Sequence, residues 1–240
     1  MTKLLVGCPL VGNPEAGRNW ILSDWYLAAM ASAIEAGVEV ALIVTVHPDD
    51  SESKRLLAAM PFVTTVDSAF VGGDGNHKWN VKRYEVMVNL RNELLGEVRK
   101  QEPDYFLSMD SDVLLHPNAV ASALDAFAQK PNAWAVGTPF FVSKHGTQHP
   151  NNGRWVNARM KMFQRNNYNY LAKMDILIGG YMMSPDGYYV DYEFDARGED
   201  LGWSKAVLRA GGELWWDGRV VNKHVMDVSM LNTVDTRVGF

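Results

Sequence analysis

A single cysteine in 240 residues, Cys8, has no partner for an internal disulfide and cannot build a thiolate metal site alone. It reads as a small buried hydrophobe beside the first strand. No uncharged apolar run reaches the roughly 18 residues of a membrane-spanning helix. Residues 1–5 pass straight into a short apolar stretch with no cleavage-site pattern, so a soluble, cytoplasmic protein is expected. Internal repeats and low-complexity tracts are also missing, and with 47% hydrophobic residues the chain is expected to form one compact unit around a sizeable core.

The most uneven absence is of acid. Between residues 126 and 174 there is no Asp or Glu, while Lys130, Lys144, Arg154, Arg159, Lys161, Arg165 and Lys173 supply seven positive charges. That leaves 16 of the 23 basic residues and all 28 acidic residues to the rest of the chain, so the net charge of −5 hides a segregation of charge along the sequence.

What is present alternates between strands and helices. Residues 3–8 predict a buried strand ending in a turn-rich loop with Gly12, Asn13, Pro14 and Gly17. Residues 19–36 predict a helix with Trp20, Leu27, Met30, Ala31 and Ile34 at helical spacing and Gly37 as its stop. Further strands are expected at 38–46, 62–66, 105–109, 133–142, 176–183 and 213–221. Further helices are expected at 53–60, 81–100, 119–129 and 198–210, with a glycine-rich loop at Gly72-Gly73-Asp74-Gly75 and a polar loop over 143–154. This alternation predicts an α/β fold with a Rossmann-like, mostly parallel sheet flanked by helices, its ligands at the carboxyl ends of the strands. The loops at 9–17, 48–51 and 110–112 would then meet at one edge.

Three constellations carry chemistry. Asp110-Ser111-Asp112 follows a buried strand, and in an extended chain residues two apart point the same way, so both carboxylates could face one ligand. A hard divalent cation with a diphosphate suits that pair, and a strand-ending turn with solvated aspartates is the alternative. In Gly198-Glu199-Asp200-Leu201-Gly202-Trp203 two acids open an amphipathic helix, as reactive groups or as partners of the helix dipole. His224 directly follows a predicted strand, as a ligand or as a structural histidine.

Taken in order, the strand-borne Asp-x-Asp, the apolar strand running into Gly179-Gly180, the Gly-Glu-Asp helix start, a glycine-ended helix, an aromatic strand and a final histidine resemble the GT-A glycosyltransferases. The resemblance spans roughly residues 3–226. Arg91-Asn92 looks like the Arg-Asn pair common in such enzymes, and residues 88–113 are similar to their mannosyltransferase branch. His47-Pro48-Asp49-Asp50-Ser51 loosely resembles the acidic loop that reads base and ribose, departing from it by its proline and by lacking the usual glycine.

The resemblance implies a single GT-A domain, with residues 1–112 as the nucleotide-sugar half and 113–240 as the acceptor half with a C-terminal tail. It implies a UDP-sugar or GDP-sugar donor held by Pro9, Leu10, Asp49, Asp50, Arg91, Asp110, Ser111, Asp112, Gly179 and Gly180. Mn²⁺ or Mg²⁺ would sit on Asp110, Asp112 and His224, with Asp200 as general base and Glu199 as the alternative base or an acceptor ligand. Arg154, Trp155, Arg159 and Trp203 are expected at the acceptor, which is a hydroxymethylated pyrimidine in DNA on one reading and a protein or glycan hydroxyl on the other. The acid-free stretch could equally close over the donor diphosphate or form a solvated surface. Two other classes compete: a nucleotidyltransferase, for which a lysine-rich phosphate loop near the first strand is missing, and a non-catalytic nucleotide-sugar-binding module.

Overall fold

The computed structural model describes residues 1–10, 19–70, 81–142, 152–156, 159–162, 170–225 and 228–231. Most of the loop expected at 9–17, the glycine-rich loop at 72–75, most of the polar loop expected at 143–154, Arg165 with the aromatic and Asn-rich residues around it, and the C-terminal tail lie outside them, whereas residues 152–154 of that polar loop belong to a strand.

The first half alternates as its pattern predicts: β1 (Lys3–Leu10), α1 (Leu22–Glu35), β2 (Glu39–Val46), α2 (Ser51–Ala58), β3 (Val63–Asp67), α3 (Val81–Gln101) and β4 (Tyr105–Met109). The second half is more broken: β5 (Val113–Leu114), α4 (Ala119–Gln129), β6 (Ala133–Gly137), β7 (Phe140–Val142), β8 (Asn152–Val156), β9 (Arg159–Met162), β10 (Leu171–Met174), β11 (Ile176–Leu177), β12 (Gly180–Met183), α5 (Pro185–Tyr188), α6 (Glu199–Arg209), β13 (Glu213–Asp217) and β14 (Asn222–His224).

Eight strands form the central sheet in the order β10-β13-β6-β12-β4-β1-β2-β3. β1, β2, β3 and β4 run parallel, as do β6 and β13, while β12 runs against both β4 and β6 and β10 runs against β13. The sheet is therefore mostly parallel, as expected, with its middle position and one edge reversed. Alternate residues of β1 feed two cores. Leu4, Val6, Cys8 and Leu10 pack with Trp25, Ala29 and Ala33 of α1 and Val120 and Ala123 of α4. On the other face Leu5 packs with Leu94, Leu95 and Val98 of α3 and Trp203 and Val207 of α6. Among the described residues no helix is long and apolar enough to cross a membrane.

Two of the expected strands are each cut in two, each cut moving the chain between sheets, and a third, expected at 213–221, stops short with β14 following it in another sheet. The run 133–142 breaks at Thr138-Pro139, the run 176–183 at Ile178-Gly179, and the run after Glu213 beyond Asp217. Pro139 has no N–H to give a ladder, and Gly179 sits at φ 81°, which side-chain-bearing residues rarely adopt. β7 and β14 join β5 in one small sheet, ordered β5-β14-β7, and β11 joins β8 and β9 in another. Hydropathy runs through these breaks because both sides of each are buried.

α1 is also rotated from its expected face. Leu22, Trp25, Ala29, Ser32 and Ala33 point inward, whereas Leu27 and Ile34 are exposed. The inward residues apart from Trp25 and Leu22 are small, which lets α1 approach α4, and Ser32 Oγ accepts the N–H of Val120 at 3.0 Å.

α6 seats against the preceding loop through Gly202, where an added Cβ would stand 1.7 Å from the Glu193 carbonyl oxygen. Gly202→Ala is expected to cost at least roughly 1–3 kcal/mol, the range for overpacking a close contact. A urea midpoint equal to that of the parent would show that α6 can shift freely.

Candidate active site at the carboxyl ends of the parallel strands

β1 and β2 end together, with Leu10 paired to Val46, and β4 ends just short of them, with Gly7 paired to Ser108. Asp110 therefore emerges at the edge where ligands of such sheets sit. Gly180 lies directly across from Met109, so the Gly179-Gly180 step abuts the same edge. The backbone turns at once, the N–H of Val113 donating to the carbonyl of Asp110 at 3.1 Å. The two aspartates of the Asp-x-Asp thus occupy a turn and not an extended chain, and they address different partners.

Asp110 Oδ1 accepts from Arg91 Nη2 at 2.7 Å. Arg91, on α3, is 2% exposed. Its Nε donates to Glu199 Oε1 at 3.3 Å and lies 4.0 Å from Asp200 Oδ1, and its Nη1 donates to Ser108 Oγ at 3.1 Å. Burial works against this cation, but Asp110, Tyr192, Asp200 and Glu199 more than offset it and hold its pKa above the usual value. Asp110 is pushed up by burial, which outweighs Arg91, with the neighbouring charge of Asp112 adding to the rise. Its side chain is still 37% exposed, and that open rim limits the penalty.

Glu199 and Asp200 open α6 but are held differently. Asp200 has both oxygens engaged: Oδ2 accepts from the N–H of Gly179 at 2.9 Å and Oδ1 from the Tyr181 hydroxyl at 2.8 Å. Tyr181 and Tyr192 hydroxyls meet at 2.7 Å, and Tyr192 lies 3.4 Å from Ser108 Oγ. A continuous buried chain of polar groups therefore runs from the Arg91 cation to the Asp200 anion, and chains of this kind polarise one another. Glu199 is pushed up to about 7 by burial first and the charge of Asp200 second, against the pull of Arg91. Burial likewise pushes the Cys8 thiol well up, which leaves it inert beneath the site.

Asp112 turns the other way. Its Oδ1 is 3.2 Å from His224 Nε2, and its carbonyl accepts the N–H of Val225 at 2.7 Å. His224 pairs with Val113 in the small sheet and meets the Phe140 ring edge-on at 5.2 Å. The same Phe140 ring occupies the space where a Gly179 Cβ would fall, 2.6 Å away. Gly179 thus serves both halves of the site: its N–H fixes Asp200, and its bare α-carbon admits the ring that flanks His224.

The expected ligand set Asp110, Asp112 and His224 does not close into one cluster. Among the described residues no group of three or more His, Cys, Asp or Glu gathers as a metal site. The physical reason is the turn at Ser111, which leaves Asp110 on Arg91. Asp112 and His224 would present a carboxylate oxygen and an imidazole nitrogen, 3.2 Å apart, to a divalent cation, and without one they face each other directly. His224 Nδ1 is buried with no hydrogen-bond partner, which leaves Nε2 as the nitrogen that faces oxygen.

Other expected site residues separate. Asp50 Oδ1 accepts from Ser53 N at 3.0 Å as the cap of α2, leaving Asp49 as the exposed carboxylate of that loop. Pro9 and Leu10 are buried in β1, and Ser111 is half-buried in the turn. Trp203, expected at the acceptor, is 0% exposed and stacks on Tyr181 at 4.6 Å, so it supports the site from the core and cannot touch an acceptor. The sequence reading missed Ser108, Phe140, Tyr181 and Tyr192. Asn92 clamps the backbone of Tyr192 through bonds of 3.0 and 2.7 Å.

Arg91→Met is expected to cost about 3–5 kcal/mol, since it strands buried carboxylates. The carboxyls of Asp110 and Glu199, already raised by burial, would then titrate higher still in the folded state, so the folded protein would bind more protons than the unfolded chain. The loss should accordingly be smaller at pH 5 than at pH 8 in urea denaturation. Equal loss at both values would mean that Arg91 acts through packing alone.

Neither a scan against protein-family models nor a search of curated proteins finds a match for this chain, so the reading of the site rests on its own geometry.

Proposed function

We propose that this chain is a metal-dependent glycosyltransferase that moves a sugar from a UDP-sugar or GDP-sugar to an acceptor hydroxyl, on a fold of the GT-A type. The observation that carries this reading is the meeting of Asp112 with His224 at 3.2 Å, at the sheet edge where Arg91 also gathers Asp110, Glu199 and Asp200. Two protein ligands leave an ion most of its coordination positions, which suits a substrate rich in oxygen such as a nucleoside diphosphate. When bound, the ion would offset charge on the departing diphosphate.

The protein's own part is to place the donor and to take a proton. Asp49 is the open carboxylate for the base and ribose side, and the half-buried Gly180 lies at the same edge, across from Met109. Of the two acids on α6, Glu199 is better matched to accept the acceptor's proton at neutral pH. Its titration near 7 balances availability against basicity, whereas Asp200 already takes bonds on both oxygens. Asp200 then acts as the brace that holds α6, Gly179 and Tyr181 in register.

A panel of UDP- and GDP-sugars with Mn²⁺ or Mg²⁺ should give nucleoside diphosphate, with chelator or Asp112→Ala removing turnover. Release of pyrophosphate instead would assign nucleotidyl transfer, and donor binding with no turnover of any sugar would leave a binding module.

A second expectation follows from the unequal acids. The transfer rate should climb about tenfold per pH unit below about 7 and level above it, because Glu199 must lose its proton to serve. Glu199→Gln should lower transfer by roughly 10²–10⁴ and abolish that limb. Asp200→Asn should lower the plateau but keep the limb. A limb that survives in Glu199→Gln would move the base to another residue.

A further inference from the structure

The small sheet β11-β8-β9 stands beside the acid site and carries the middle of the acid-free stretch. In the antiparallel pair β8–β9, Arg154 lies opposite Lys161 and Val156 opposite Arg159. Cross-strand partners, and residues two apart, share a face of a sheet. Arg154, Arg159 and Lys161 therefore project from one face, and all three are exposed. Arg154 also steadies the ribbon, donating from Nε to the Lys173 carbonyl at 2.7 Å.

The opposite face is committed to the rest of the protein. The half-buried Trp155 lies under the Arg197 guanidinium at 5.0 Å and Lys205 Nζ at 5.6 Å, and both cations also bind Asp195. Its N–H donates to Asp175 at 2.7 Å, and Leu177 of the third strand donates to Ser204 of α6 at 3.2 Å. Arg197 immediately precedes Gly198 and the Glu199-Asp200 pair. The ribbon is thus pinned to the element that bears the acids, with its cationic face turned outward.

Like charges placed directly across a β-pair oppose folding. Here Arg154 faces Lys161, and neither β8 nor β9 carries an acidic residue. A row of fixed cations on an exposed two-stranded ribbon suits a polymer of fixed anions, and a β-ribbon is among the elements that fit the DNA major groove. A single donor diphosphate would call for a concave pocket instead. We infer that the β8–β9 ribbon docks a nucleic acid through its phosphates and presents an acceptor hydroxyl carried on that polymer to the Glu199-Asp200 edge. The presentation rests on the glycosyl-transfer reading above, whereas the docking does not.

The experiment is fluorescence anisotropy of the full chain with labelled duplex and single-stranded DNA over a range of salt. Affinity should fall linearly on a log–log plot. Arg159→Ala with Lys161→Ala should reduce the slope by about 0.9 for each lost contact on duplex, or about 0.7 on a single strand. The swap Arg159→Lys with Lys161→Arg should restore the slope, which a merely misfolded ribbon would not do. Arg154 is left in place because it holds the Lys173 carbonyl. No DNA binding at low salt, an unchanged slope in the double alanine variant, or selective binding of a sulfated glycan over DNA would each overturn the assignment. Turnover of nucleotide-sugar without DNA binding removes this inference alone. DNA binding without turnover of any nucleotide-sugar retains the docking surface and removes the enzyme reading.

Discussion

Arg91 is the constraint around which the site is arranged. A guanidinium keeps its charge at any working pH, so burying it at 2% exposure obliges the fold to bring carboxylates to it. Asp110 arrives at the end of β4, and Glu199 and Asp200 arrive at the start of α6. These elements are far apart in the chain, and their shared cation fixes the distance between them. Ser108, Tyr192 and Tyr181 extend the same requirement, since each buried hydroxyl needs a partner and together they link Arg91 to Asp200.

The second half of the site depends on the chain leaving the central sheet. Pro139 and Gly179 end their strands for different reasons, one by lacking a donor and the other by its backbone conformation. The departures place Phe140 against Gly179 and His224 and bring His224 to Asp112. The pairing of β14 with β5, which sets His224 opposite Val113, and the bond from Val225 N–H to the Asp112 carbonyl fix His224 relative to Asp112.

Charge is distributed on the same plan. The acids gather at the edge of the large sheet, where Arg91 compensates them inside, while the cations of β8–β9 face outward on a ribbon tied to α6 by Trp155 and Ser204. Two fields of opposite sign therefore stand side by side, and the average over the whole chain conceals both.

Much of this was legible in the residues alone. Hydropathy and helix-stop patterns located β4 and α4 and gave the alternation of the first half, because local periodicity and turn chemistry decide those elements. Asp110, Asp112, Glu199, Asp200 and His224 could be singled out by residue type and position, and Arg91 by the resemblance of its Arg-Asn pair. Their partnerships could not, because each crosses between distant elements. Only the tertiary structure decided that Asp110 goes to Arg91 and Asp112 to His224, that Trp203 is core, that Asp50 is a helix cap, and that α1 turns Leu27 outward. Apolar runs say that a segment is buried and are silent on which sheet buries it. A carboxylate's role depends on which donors reach it, and those are set by how layers pack.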